Sequence, residues 1–215
     1  MPVYQQINEK MIEVALDNEE VFAIKGAMVA FQGDIAFSRA FLAGEGVQGM
    51  AMRAATNEGH KLMSAKGRGK VCYAYNGHFV TIIPVNGDTL YVEADNLLAY
   101  DARLTTGTMF LGNQGGVAGV LRGAVSGQGL FTTKVSGTGS VALLSHGGTF
   151  EIPVDGTGMV GVDPQAYVGH VGALQIDFKV SGGVRDVVGR GSGEATQLHC
   201  TGHGRIYVQA SEEKF

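Results

Sequence analysis

At 215 residues with 45% hydrophobic content, the chain is long enough for one large β domain or two smaller ones and can bury a sizeable core. Its net charge of −4 and pI near 5.8 lack the basic footprint of a nucleic-acid binder, and no apolar run approaches the ~20 residues of a membrane-spanning helix. Two cysteines, Cys72 and Cys200, make no disulfide framework, and residues 1–6 lack the basic and apolar stretches of a secretory signal, so the expectation is a cytoplasmic protein with reduced thiols.

Glycine is the outlier, with 34 copies, about twice an ordinary usage of roughly 7%. The glycines follow no strict Gly-x-y period and only four prolines accompany them, so neither collagen nor a disordered linker fits. Glycines between apolar runs predict many short strands joined by tight turns.

In chain order, residues 11–16 read as a strand, Asp17-Asn18-Glu19 as a turn and 21–24 as a second strand. Past Gly26 a third strand ends in the ring of Phe31. Asn, Asp and Gly tolerate the left-handed backbone that hairpin turns require. Residues 33–48 are less regular, and periodicity alone leaves the apolar run 35–42 as helix or strand. Gly67-Arg68-Gly69 reads as a glycine-rich turn, and 71–75 as a closing strand.

The same order returns twice. Residues 79–85, Asn86-Gly87-Asp88, 90–93, Tyr100, the irregular 101–116, Gly137-Thr138-Gly139 and 141–145 form the second pass. Residues 149–154, Asp155-Gly156-Thr157, 159–162, His170, the irregular 171–183, Gly202-His203-Gly204 and 206–210 form the third. Phe31, Tyr100 and His170 are separated by 69 and 70 positions. Self-similarity at a fixed period predicts a multiplied supersecondary unit. The strands are β-branched or aromatic, as in Val71-Cys72-Tyr73-Ala74-Tyr75. The expected fold is therefore all-β (β-rich): one domain over 1–215, made of three pseudo-repeats of about 69 residues, at 8–78, 79–148 and 149–211. They are expected to pack around a pseudo-threefold axis and hide each other's sheet edges.

Several blocks go beyond generic strand patterning: Lys25-Gly26-Ala27-Met28-Val29-Ala30, Ser126-Gly127-Gln128-Gly129-Leu130-Phe131, Gly147-Gly148-Thr149-Phe150-Glu151-Ile152-Pro153-Val154 and Val162-Asp163-Pro164. In this order and spacing the chain resembles the altered inheritance of mitochondria protein 24 family over about residues 8–211. The resemblance implies a β-rich fold likened to the tryptophan RNA-binding attenuation protein, built by internal duplication. The yeast member is linked to inner-membrane organisation in mitochondria, and the resemblance brings no catalytic residues with it. Asn57-Glu58-Gly59-His60 departs from the Ser-Gly-Glu-Gly-like run expected there.

Candidate chemistry is sparse. His199 and His203 fall on one face of a strand and are the nearest approach to a metal pair, although no third ligand is evident. Lys61, Lys66, Arg68 and Lys70 cluster around the first Gly-x-Gly, where cations and turn amides together suit a small anion. A solvated strand edge guarded by lysines is the plainer reading. Ser145, His146 and Asp163 carry hydrolase residue types without a nucleophile elbow. Tyr73 and Tyr75 beside Lys70 are a faint version of a single-strand RNA platform, and His170 reads as a packed ring. The expected protein is thus a non-enzymatic scaffold without cofactors, a homo-oligomer with Phe37 and Phe41 at its interface, docking on a membrane surface or a protein partner. The alternative is a binding module for a small anionic ligand or nucleic acid.

Overall fold

Apolar alternation becomes strand almost everywhere in the computed structural model, which describes residues 1–40, 62–111, 130–180 and 196–213. The strands are β1 (Val3–Asn8), β2 (Met11–Ile24), β3 (Met28–Arg39), β4 (Leu62–Tyr73), β5 (Phe79–Glu93), β6 (Leu97–Asp101), β7 (Thr105–Leu111), β8 (Leu130–Ser145), β9 (Thr149–Asp155), β10 (Val160–Val162), β11 (Tyr167–Val180) and β12 (Thr196–Gln209). The one helical element among the described residues is the 3₁₀ turn Ala94–Asn96. All twelve strands join one antiparallel sheet in the order β10-β12-β11-β5-β8-β6-β2-β4-β3, with β1 on β2, β7 on β8 and β9 on β12.

Three stretches share a pairing order. β2 and β3 both pair with β4, β5 and β6–β7 both pair with β8, and β9–β10 and β11 both pair with β12. Phe31, Tyr100 and His170 all lie on strands, opposite Val71, Val141 and Ile206. The stretches join side by side at two places, β2 against β6 and β5 against β11. Among the described residues no strand of 149–211 pairs with one of 8–78, so the row has two ends, at β3 and at β9–β10.

Three expected hairpin turns are not reversals. β2 runs straight through Asp17-Asn18-Glu19, keeping β4 as its partner, and the register shifts by one residue there. Asn18 takes φ 57° as the extra residue of a bulge. β5 does the same against β8 at Asn86-Gly87-Asp88, with Gly87 at φ 89°. The third, Asp155-Gly156-Thr157, interrupts the strand, but β9 and β10 continue along the same partner, β12. A tight hairpin turn and a bulge both call for a left-handed residue, so local chemistry does not separate them. The bulge changes which face is buried: Ile12, Val14 and Leu16 point inward before it, Val21 and Ala23 after it, which a strict period of two forbids.

The Gly-x-Gly motifs are not turns either; they lie within β4, β8 and β12. Gly69 faces Gly33 across the ladder, and a Cβ on Gly69 would sit 2.1 Å from the Gln32 carbonyl oxygen. Gly204 faces Gly172, with a Cβ 2.2 Å from the Val171 oxygen. The backbones approach too closely for any side chain, so these glycines let two long strands bend together. The undecided run 35–42 is strand as far as Arg39; Phe41 and Leu42 lie outside the described residues.

Three apolar clusters line the sheet. The first gathers Ile12, Val14, Val71 and Tyr73 with Leu98, Ala142 and Leu144 of the second stretch. The second joins Leu90, Tyr100, Val141 and Leu143 to Val168 and Tyr207 of the third. The last, with Tyr167, Leu198, Cys200 and Ile206, draws on the third stretch alone. Each fully buried Leu or Ile contributes roughly 1.5–3 kcal/mol relative to exposure, so the two crossing clusters bind the stretches together.

Candidate functional site

The basic cluster resolves into a charge ladder. Lys66, Arg68 and Lys70 project from alternate positions of β4, and β2 presents carboxylates opposite or diagonal to them. Lys66 Nζ is 3.9 Å from Glu20 Oε2, Arg68 Nε donates to Asp17 Oδ1 at 2.8 Å, and Lys70 Nζ donates to Glu13 Oε1 at 2.7 Å. The hydrogen bond to Glu13, and then the Glu13 charge, hold the Lys70 ammonium above its ordinary value. Glu20 also accepts from Ser64 Oγ at 2.5 Å. Cross-strand pairs of opposite charge stabilise a sheet face, and each of these three cations has a carboxylate of β2 beside it. Lys61 lies outside the described residues.

His199 and His203 do share a face of β12, whose pairing with β11 is regular from His170 to Val180. Four residues of antiparallel strand span about 13 Å, whereas two imidazoles on one Zn²⁺ each need a nitrogen about 2 Å from the ion. The strand that puts the histidines on one face also holds them apart. His203 instead packs its ring against Gly156, where a Cβ would meet Cε1 at 2.6 Å. Among the described residues no three His, Cys, Asp or Glu side chains cluster as metal ligands.

The other residues weighed for chemistry have structural roles. Ser145 is buried and accepts from Thr149 Oγ1, while Asp163 accepts the Gln165 N–H. Tyr73 is fully buried and offers no face to a base. His170 is a packed ring, stacked on Tyr91 at 4.5 Å and 2.5 Å by Nδ1 from the Tyr167 hydroxyl. Burial holds its imidazole down at about 4, so it stays neutral at neutral pH. Burial likewise pushes the Cys200 thiol up to about 11, which makes it an inert core residue. Neither Cys200 on β12 nor Cys72 on β4 is in a disulfide.

Two arrangements had no clear sequence signal. His78 and His146 meet edge to face at 4.4 Å, and His146 Nδ1 is 3.7 Å from Glu213 Oε2. Burial first, and the His146 charge second, lower the His78 imidazole. The two residues are 68 positions apart and come together where β5 begins and β8 ends. Beside them runs an open groove of about 620 Å³ lined by Gln6, Asn8, Phe79, Thr81 and Gly148.

The other arrangement is the pair of row ends. On β3, Val29 and Phe31 are 58% and 51% exposed, and beside β10 Met159 is 52% exposed. Phe31 leans against Phe37, ring to ring at 5.2 Å; Phe37 itself is half-buried on the first cluster. Tyr100 and His170 hold the corresponding place in the other two stretches and are 2% and 3% exposed. Their neighbours explain the contrast. Phe22 packs on Tyr100 at 5.5 Å and Tyr91 stacks on His170, whereas among the described residues β3 has a strand on one side only.

A family model described as mitochondrial biogenesis AIM24 matches residues 3–211. The fold is similar to the crystal structure of a structural-genomics protein from Streptococcus pyogenes. That similarity has a TM-score of 0.71 at 22% identity and covers 98% of this chain and 93% of the other. No curated protein sequence is a match.

Proposed function

The chain belongs to the AIM24 mitochondrial-biogenesis family, and on that premise we propose that it is a non-enzymatic scaffold, a cytoplasmic homo-oligomer whose assembled face docks on a membrane surface or a protein partner. The observation that carries this reading is the pair of row ends. Apolar side chains that the fold buries at two places, Tyr100 and His170, have an exposed counterpart in Phe31, with Val29 beside it and Met159 at the opposite end. Contiguous exposed apolar surface marks a place of contact. No helix among the described residues is long and apolar enough to cross a membrane, and the proposed docking is peripheral.

The alternative, a module for a small anionic ligand or nucleic acid, draws on Lys66, Arg68 and Lys70, each engaged by a carboxylate of β2. Light scattering on the purified chain, with liposome and RNA pull-downs at two salt concentrations, separates the two. The scaffold reading expects a mass above the monomer and pull-down that does not collapse with salt. A monomer that captures RNA at low salt and loses it steeply at high salt favours the alternative, since phosphate-driven binding falls with salt.

A further inference from the structure

The two junctions inside the chain follow one rule. At the first, Val21, Phe22 and Ala23 of β2 pair with Asp101, Tyr100 and Ala99 of β6. At the second, Leu90, Tyr91 and Val92 of β5 pair with Val171, His170 and Gly169 of β11. Phe22 and Tyr91 are 69 positions apart, and 69 positions further on stands Val160 of β10. On the receiving side, 69 positions before Tyr100 stands Phe31 of β3. The next junction by this rule would set Met159, Val160 and Gly161 against Gln32, Phe31 and Ala30. Within the chain these two segments do not pair, because they are at opposite ends of the row.

Burial follows the same rule. Leu98, Ala99 and Tyr100, and likewise Val168, Gly169 and His170, are buried; Val29, Ala30 and Phe31 are exposed. On the donating side Val21 and Ala23, and likewise Leu90 and Val92, are fully buried, whereas Met159 and Gly161 are exposed. Free sheet edges are ordinarily guarded by charge or proline. Residues 28–33 and 158–162 carry neither.

We infer that copies of this chain join head to tail, β10 of one copy adding to β3 of the next with Val160 opposite Phe31. This deepens the scaffold reading and rests on it. The contact is heterologous, since each chain gives one edge of each kind, so it generates a ring if the rotation per copy closes and a filament if it does not. The ring of Phe31 then gains a covering strand, as Tyr100 has from Phe22 and His170 from Tyr91. The occupant is a second copy because, among the described residues, the strand that each end lacks is the unpaired edge strand of the other end, in a register the chain already uses twice.

Cross-linking tests the register. Opposed residues of an antiparallel pair have Cα atoms about 4.5–5.5 Å apart, within the range a disulfide spans. In a Cys72→Ser background, Phe31→Cys and Val160→Cys are made as two separate proteins and oxidised alone and mixed. Covalent dimers should form in the mixture and in neither protein alone. Dimers of the Phe31→Cys protein alone would mean an isologous contact and overturn the inference. So would a mixture that stays uncross-linked while the unmodified chain still scatters as an oligomer, and in that case the scaffold reading survives with its interface elsewhere. A monomeric unmodified chain ends both. As a second readout, Val29→Glu with Phe31→Glu should weaken self-association roughly tenfold or more, as loss of a central apolar anchor does, while the variant keeps the strand content of the unmodified chain by circular dichroism and still unfolds cooperatively. An unchanged mass in that variant also overturns the inference.

Discussion

Tyr100 and Phe31 both lie on strands opposite a buried valine, Val141 and Val71, yet one is buried and the other half exposed. Both side chains are large and apolar enough for a core, so the difference lies in what stands beside them. Tyr100 has β2 as a neighbour, and Phe31 has none among the described residues. Burial here is thus a property of the neighbouring strand more than of the residue.

The sharpest way to break this comparison is truncation at both places. Tyr100→Ala should cost about 3–5 kcal/mol in urea unfolding, the range for emptying a large aromatic from a core. Phe31→Ala on the dissociated chain should cost well under half of that, because solvent already reaches its ring. Equal losses would mean that the two environments are alike.

Acid sharpens the comparison next, through the third member of the set. The His170 imidazole is held at about 4 by burial, against about 6.5 when unfolded. A depressed imidazole favours the neutral form in the folded state, so unfolding takes up a proton below pH 6.5. Stability is therefore complete above pH 6.5 and falls as pH drops toward 4, by roughly 3 kcal/mol over that window. His78 is lowered as well and acts in the same direction. His170→Phe should remove the larger part of the difference between urea midpoints at pH 7 and pH 4.5, and an unchanged difference would refute the assignment.

Glycine contrasts give a smaller effect. Gly69→Ala drives a methyl group into the Gln32 carbonyl and should cost about 2–3 kcal/mol by forcing the strands apart. Gly107→Ala meets open space and should stay within about 0.5 kcal/mol. Smallest of all is the charge ladder. Arg68 and Asp17 are both largely exposed, and exposed pairs contribute little. Arg68→Gln should leave the urea midpoint within experimental scatter, and a clear drop would show the ladder to be structural.

Much of the fold was legible along the chain because strand formation answers to local pattern. The runs at 11–16, 21–24, 79–85 and 90–93 are all strand. What joins them is not local. Asn18 and Gly87 carry the right backbone requirement, but whether a left-handed residue reverses a strand or bulges it depends on whether the partner ladder continues, and β4 and β8 supply that from some 50 residues away. The Gly-x-Gly motifs suffered the same ambiguity: the demand for glycine at Gly69 comes from Gln32 on another strand. At the candidate site, Lys66, Arg68 and Lys70 were visible as a basic run, but the carboxylates that engage them lie on β2 and become neighbours only through the register. His199 and His203 shared a face as expected, and the rise of the strand separated them.

By itself the sequence determined the strand content, the recurrence near 69 residues and the supply of left-handed residues, because these follow from side-chain shape, period and backbone sterics within a few positions. Only the tertiary structure decided that two of the predicted turns are bulges, that the cations are paired, and that Phe31 is exposed while Tyr100 is not. Each of those outcomes depends on which strand lies alongside, and pairing between distant segments is set by the whole ladder of hydrogen bonds and buried contacts rather than by any residue in it.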